Sequence, residues 1–251
     1  MSAQPPKEIA PGVHELGSDF VNWFLVEEDG ALTAVDAGFG GFAKSLESDL
    51  QALGFSLDDV KALVLTHSDA DHTGLALRLQ RAGAQVYVHS ADEDTLRKPG
   101  PKGGDASVRN FIPRLINPKT WMAMGAMVRE SGGMPKGVDG ATTFADGDVL
   151  DVPGHPRVVH TGGHTPGHCV LLFERHGALF VGDALCSWNP LTRARGPQVM
   201  PTPLNVDTEG CFSALSTIGG LDAQLVLPGH GEPIRESPAS AVEKARAAGR
   251  S

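Results

Sequence analysis

Apolar residues in this chain come in short runs, each cut off by polar or small residues. Runs rich in Val, Leu, Ile and Phe predict strands at 13–16, 20–26, 31–35, 61–65, 85–88, 142–144, 149–152, 157–161, 168–173, 178–181 and 224–227. Glu28-Asp29-Gly30 supplies a hairpin turn between the second and third. Helical spacing replaces alternation over 40–54, where Phe42, Leu46, Leu50 and Leu53 recur before Gly54. It returns from the Leu75/Leu79 face to about Ala82, briefly at 92–96, and over 208–218. The stretch 237–250 reads as a short amphipathic helix or a frayed tail.

The segment 97–141 breaks this rhythm. Lys98-Pro99-Gly100-Pro101-Lys102-Gly103-Gly104 is a loop by composition. It leads into Phe111-Ile112-Pro113-Arg114-Leu115-Ile116 and then Trp121 to Met127, and four of the six Met lie between 122 and 134. Methionine surfaces adapt to varied apolar partners. The segment therefore reads as a helical, lid-like insertion whose Trp121 and Met124 contact an apolar part of a substrate. A small core of its own, or a homodimer contact, is the alternative.

The remainder shows a faint internal echo. Leu63-Val64-Leu65-Thr66-His67 is matched by Leu225-Val226-Leu227-Pro228-Gly229-His230, and Ala34-Val35-Asp36-Ala37 by Val181-Gly182-Asp183-Ala184. Two similar halves, strands before helices in each, suggest two sheets packed face to face with helices outside. We expect one α/β domain over 1–251 carrying the 97–141 insertion.

Composition narrows the function. A hydrophobic share of 41% over 251 residues gives a globular chain with a sizeable core. The net charge of −9 argues against a nucleic-acid partner, which would need a basic face. Cys169, Cys186 and Cys211 are widely spaced and odd in number, as expected of reduced thiols in a cytoplasmic protein. No run reaches the ~18 apolar residues of a membrane span, and the Pro-rich first residues lack a signal-peptide core.

The chemistry gathers where apolar runs stop. Leu63-Val64-Leu65-Thr66-His67-Ser68-Asp69-Ala70-Asp71-His72-Thr73-Gly74 places two imidazoles and two carboxylates within six residues at a strand end. His67 and Asp69, two apart in extended chain, share one side, and Asp71 and His72 turn toward a neighbouring point. That spacing suggests two adjacent cation sites. Three later strand ends repeat the theme: Thr161-Gly162-Gly163-His164-Thr165-Pro166-Gly167-His168, Phe180-Val181-Gly182-Asp183, and Leu227-Pro228-Gly229-His230.

These segments together resemble the metallo-β-lactamase superfamily, whose hallmark is H-x-H-x-D-H followed by a His, a bridging Asp and a last His. The resemblance implies an αββα sandwich. It also implies a first metal held by His67, Asp69 and His164, a second by Asp71, His72 and His230, and Asp183 between them. His168 is similar to a supporting histidine behind the ligands, and Asp36 to a supporting carboxylate. One departure is Asp69, where most members carry a second His. Two divalent cations bring +4, Asp69, Asp71 and Asp183 bring −3, and a bridging hydroxide makes the site neutral. An oxygen-rich site of this kind suits manganese or iron better than an all-nitrogen one, so zinc is expected first with those two open.

The resemblance further implies a hydrolase in which metal-bound hydroxide attacks an ester, lactone, thioester or similar bond, with Asp71 shuttling a proton and Asp183 holding both metals. An iron oxidoreductase of the same fold, flavodiiron-like or persulfide dioxygenase-like, is the alternative. The substrate is expected to be a small molecule. Arg193, in the loop after Asp183, is a candidate anchor for its carboxylate or phosphate.

Overall fold

The computed structural model describes residues 4–116, 118–133 and 136–251. In chain order the strands begin with β1 (Gln4–Ala10), β2 (Val13–Gly17), β3 (Asn22–Glu28) and β4 (Ala31–Val35). Helix α1 (Leu46–Ala52), strand β5 (Val60–Val64), helix α2 (Ala76–Arg81), strand β6 (Gln85–His89) and helix α3 (Glu93–Arg97) follow. The insertion contributes α4 (Val108–Phe111), a 3-10 turn (Ile112–Ile116) and α5 (Pro118–Glu130). The second half runs β7 (Thr142–Phe144), β8 (Arg157–His160), β9 (Cys169–Phe173), β10 (Ala178–Gly182), β11 (Cys186–Trp188) and β12 (Arg195–Gln198). It ends with α6 (Thr208–Gly219), β13 (Leu225–Pro228) and α7 (Pro238–Ala248).

Among the described residues these strands make a seven-stranded sheet in the order β1 to β7 and a four-stranded sheet in the order β13-β10-β9-β8. β11 and β12 form a separate ribbon. The period of two in the sequence is what builds the layers. Along β3, Trp23 and Leu25 face α1 and α2, while Phe24 and Val26 face the other sheet. Along β10, Ala178 and Phe180 face inward, while Leu179 and Val181 meet α6 and α7. Phe24, Phe173 and Phe180 interlock edge-to-face between the sheets, with ring centroids 5.1 to 5.2 Å apart. The expected αββα order of layers follows.

Several expectations change. The 149–152 run is not a strand: only Val149 bridges to Arg157, because Pro153 and Gly154 turn the chain at once. Leu150 and Val152 still reach the core between the sheets. The Pro-rich N-terminal segment, for which no strand was expected, is edge strand β1, paired with β2 through a register shift between Gln4 and Lys7. Proline is tolerated on an edge, where a missing N–H breaks no inner ladder. The tail is a docked helix, with Ser237 capping the Ser240 N–H and Ala241, Val242 and Ala245 buried against α6. Met134 lies outside the described residues, as does the side chain of Met122.

Candidate metal centre

Every strand-end residue singled out in the sequence emerges at the carboxyl end of a strand. Asp36 follows β4, His67 follows β5, His164 follows β8, Asp183 follows β10 and His230 follows β13. Parallel pairing of β4 with β5 and of β10 with β13 makes those ends coincide along one rim of the sandwich. Two triads result. The ligand atoms of His67, Asp69 and His164 lie within 4.8 Å of one another, as do those of Asp71, His72 and His230.

Asp183 stands between the triads. Its Oδ2 is 3.2 Å from His164 Nε2 and 3.4 Å from His230 Nε2, and its Oδ1 is 3.4 Å from His72 Nε2. His67 Nε2 is 3.5 Å from Asp69 Oδ2, and His230 Nε2 is 3.5 Å from Asp71 Oδ2. A tetrahedral zinc site with bonds of ~2.0–2.1 Å sets its donors ~3.3 Å apart, so these separations suit ligands around a shared cation.

The second ring nitrogens explain the orientation. His72 Nδ1 donates to Asp36 Oδ2 at 2.8 Å, and His230 Nδ1 to the Phe20 carbonyl at 2.5 Å. His164 Nδ1 meets Asn205 Oδ1 at 2.9 Å, and His67 Nδ1 meets Thr66 Oγ1 at 3.0 Å. The Thr66 hydroxyl passes its own proton to Asp36, so it is free to accept. Each ring is thereby held with Nε2 facing the centre, the tautomer a metal ligand needs. His67 Nε2, His72 Nε2 and Asp183 Oδ1 are buried without a hydrogen-bond partner. Buried polar atoms normally have one, and metal ligation is a role that would satisfy all three. The residues fit a metal.

His168 serves the centre from behind. Its Nε2 accepts the Asp183 N–H at 3.0 Å while Nδ1 meets Thr161 Oγ1 at 2.8 Å. Burial, with the neighbouring His67 and His164 rings, pushes its pKa well below the usual histidine value and keeps it the neutral acceptor this role requires. Burial also opposes a charge on Asp183, yet His230, His72 and His164 hold that carboxyl well below the usual range. Burial disfavours the proton on His72, but Asp183 and Asp36 raise it above the ordinary value. Two glycines make room. A Cβ on Gly182, whose φ is +47°, would lie 2.5 Å from Thr66 Oγ1, and one on Gly229 would lie 2.6 Å from Asp183 Oδ1.

Four contributors carried no sequence signal. Thr66 and Asn205 orient the rings just described. Asp92, buried, accepts from the Ser68 N–H and hydroxyl, the Thr165 hydroxyl and the Gly167 N–H, tying the His67 and His164 loops together. Lys102, from the insertion loop, pairs with Asp69 and reaches His164.

A cleft of about 430 Å³ opens over Asp69, Asp71, Asp183 and His230. Its far wall is apolar and includes Met124, Met127, Leu191 and Leu204. Of the three candidate substrate contacts, Met124 lines this cleft, while Trp121 and Arg193 are not among its lining residues. Trp121 is 57% exposed and donates from Nε1 to the Leu115 carbonyl, back along its own insertion. Arg193, at a positive φ of 63°, is turned over the Trp188 ring, 6.0 Å from its centroid. It lines a separate polar groove of about 550 Å³ that contains none of the seven predicted ligands.

An αββα sandwich with a histidine–carboxylate cluster on its rim defines a class of metal-binding enzyme, and comparison gives the family. The chain belongs to the metallo-beta-lactamase superfamily, whose family model matches residues 16–230. It is 31% identical over 231 residues to "Probable metallo-hydrolase YqjP" of Bacillus subtilis (strain 168), covering 84% of this chain and 67% of that one. It is 27% identical to "Probable metallo-hydrolase YflN" of the same organism, covering 90% and 86% respectively. A match of 25% identity over 150 residues is to the hydroxyacylglutathione hydrolase GloC of Haemophilus influenzae, covering 58% of each chain. Among solved structures, a metallo-beta-lactamase family protein of Thermus thermophilus superposes with a TM-score of 0.69 at 25% identity, over 96% of this chain and 79% of that one. A B3 metallo-beta-lactamase described as the first with an active-site glutamic acid superposes at 0.71 with 20% identity, over 97% and 88%.

Proposed function

We propose that this metallo-hydrolase is dinuclear, with His67, Asp69 and His164 holding one cation, Asp71, His72 and His230 the other, and Asp183 shared. The observation that carries the reading is the convergence of four Nε2 atoms and three carboxylates, with three buried polar atoms lacking any other partner. Two cations held there would supply a hydroxide near neutral pH and polarise the substrate's carbonyl oxygen. The chain's own residues do the rest. Asp71, only partly buried in the cleft floor, is placed to carry a proton to the leaving group. The apolar wall around Met124 and Met127 favours an acyl or aromatic group beside the scissile bond.

The proposed substrate is a small ester, lactone or thioester with such a group. The likeness to a hydroxyacylglutathione hydrolase supports the thioester among these. Zinc is the first expectation, and Asp69 leaves manganese or iron as the alternatives. The 97–141 insertion is proposed to act as a lid on a single catalytic domain.

Elemental analysis of the isolated protein, joined to a zinc, manganese or iron add-back assay on lactone, thioester and aryl ester substrates, tests this. About two cations per chain with metal-restored hydrolysis is the expected result. Iron with colour and no hydrolysis of any substrate would transfer the protein to the oxidoreductase branch of the same fold.

A further inference from the structure

The two triads are not alike, and the difference is Lys102. Its ammonium donates to the Leu204 carbonyl at 2.9 Å, lies 2.9 Å from His164 Nε2 and is paired with Asp69. An ammonium has three N–H donors, and all three are spent here. Because His164 Nδ1 is already engaged with Asn205, the Nε2 lone pair that faces Lys102 is the one a metal would use. Two of the three donors of the first triad are therefore bonded to a cation that the chain itself supplies. Among the described residues no lysine or arginine pairs with Asp71, His72 or His230, whose ion pairs are with one another, Asp36 and Asp183.

The loop that presents Lys102 is fixed rather than draped. The Asp105 N–H donates to the Val206 carbonyl at 2.9 Å, and Asp105 Oδ2 accepts the Thr208 N–H at 3.0 Å. A Cβ on Gly104 would fall 1.9 Å from the Val206 carbonyl, so backbone packs on backbone there. The same strip carries Asn205 and donates the Val206 N–H to the His164 carbonyl at 3.1 Å. Lys102 and His164 are thus positioned by one framework, and only the lysine's four-carbon stem can move without breaking it.

Charge completes the argument. Asp69, Asp71 and Asp183 carry −3, so the ammonium and one divalent cation leave the centre neutral. Two divalent cations and the hydroxide they would supply leave the centre neutral without the ammonium and at +1 with it, and no further carboxylate among the ligands offsets that excess. We propose that Lys102 is an internal cation of the first triad, which a metal ion must displace to complete the centre. The centre then fills in order. The Asp71, His72 and His230 triad binds first with Lys102 in place, and the His67, Asp69 and His164 triad binds second and more weakly. This rests on the two-metal reading above.

Metal-free full-length protein titrated with Co2+, read by calorimetry and by visible absorption, tests it against Lys102→Met. The wild type is expected to bind in two separated steps. The substitution is expected to tighten the weaker step by about ten-fold or more and leave the tighter one within about two-fold. Mass-spectrometric mapping of amine acylation gives a second readout: Lys102 should be protected until the second equivalent binds, then become reactive. Two steps that the substitution does not alter would overturn the proposal while leaving the two-metal reading standing. A single step of two equivalents in the wild type would likewise overturn the ordered filling, and one equivalent bound by both proteins would overturn the two-metal reading with it.

Discussion

The floor and the roof of the cleft are built on opposite principles. In the floor, His67, His72, His164, Asp183 and His230 are almost wholly buried, and each imidazole has its Nδ1 assigned to one oxygen. In the roof, Ile116, Trp121 and Val128 are 88%, 57% and 76% exposed. The roof is held where it leaves the body, at Gly104 and Asp105, and again where it returns. There the Ser18 hydroxyl donates to Glu130 Oε2 at 2.6 Å, and Gly41 packs so close that a Cβ would lie 2.4 Å from the Glu130 carbonyl. A metal site must hold several donors to within a fraction of an ångström, so it needs a packed frame. A surface for varied acyl groups gains from soft, loosely packed side chains. Apart from Lys102, which the insertion lends to the floor, the chain has placed these two demands on different segments.

The sharpest way to break the floor is at its centre. Asp183→Ala removes a carboxylate whose oxygens lie within 3.4 Å of imidazoles from both triads. Metal affinity at one or both positions should fall by at least ~100-fold, and hydrolysis with it. Metal content after dialysis is the measurement, and full retention of two cations would dissolve the floor as drawn.

A smaller effect is expected one layer back. Asp92→Ala leaves the Ser68 N–H, the Thr165 hydroxyl and the Gly167 N–H without their acceptor in a buried place. Each orphaned group costs ~1–3 kcal/mol at most, and partial relaxation makes a net loss of about 3 kcal/mol reasonable. Because Asp92 spans the loops of His67 and His164 alone, Co2+ binding to that triad should weaken by about ten-fold and the other should hold. Equal weakening of both would mean that Asp92 supports the fold and not that triad.

How much of this was legible follows the same division. The floor could be read because its ligands are dense, lie at strand ends and match a family motif over most of the chain; Asp36 and His168 came with that match. Thr66, Asn205 and Asp92 could not, since a threonine, an asparagine and an aspartate reveal a role only through partners brought near by folding. Asp92 meets Gly167 across 75 positions. Lys102 was hidden differently: its loop reads as pure connection, and nothing in its composition says that it folds into the centre. Edge strand β1 was missed because Pro5 and Pro6 argue against a strand, although an edge forgives them. On the roof, an apolar pattern announced helices but not which side faces the cleft, and of the two candidates Met124 lines it while Trp121 does not.

The smallest predicted effect lies on that roof. Met124 and Met127 line the cleft, but Met127 is also 39% exposed, so each shares its contact with solvent. Truncating a part-exposed side chain against a flexible acyl group removes roughly 1 kcal/mol of burial. Met124→Ala should therefore raise KM about two- to five-fold for substrates with bulky apolar groups, leave small acetyl substrates unchanged, and leave both metals bound. Met124→Leu keeps volume and apolarity and should stay within about two-fold of the parent on all of them. A series of esters graded by acyl length separates the outcomes. A KM that rises equally along the series, or a loss of metal, would mean that the insertion belongs to the floor, and the contrast between a rigid centre and a yielding cover would fail.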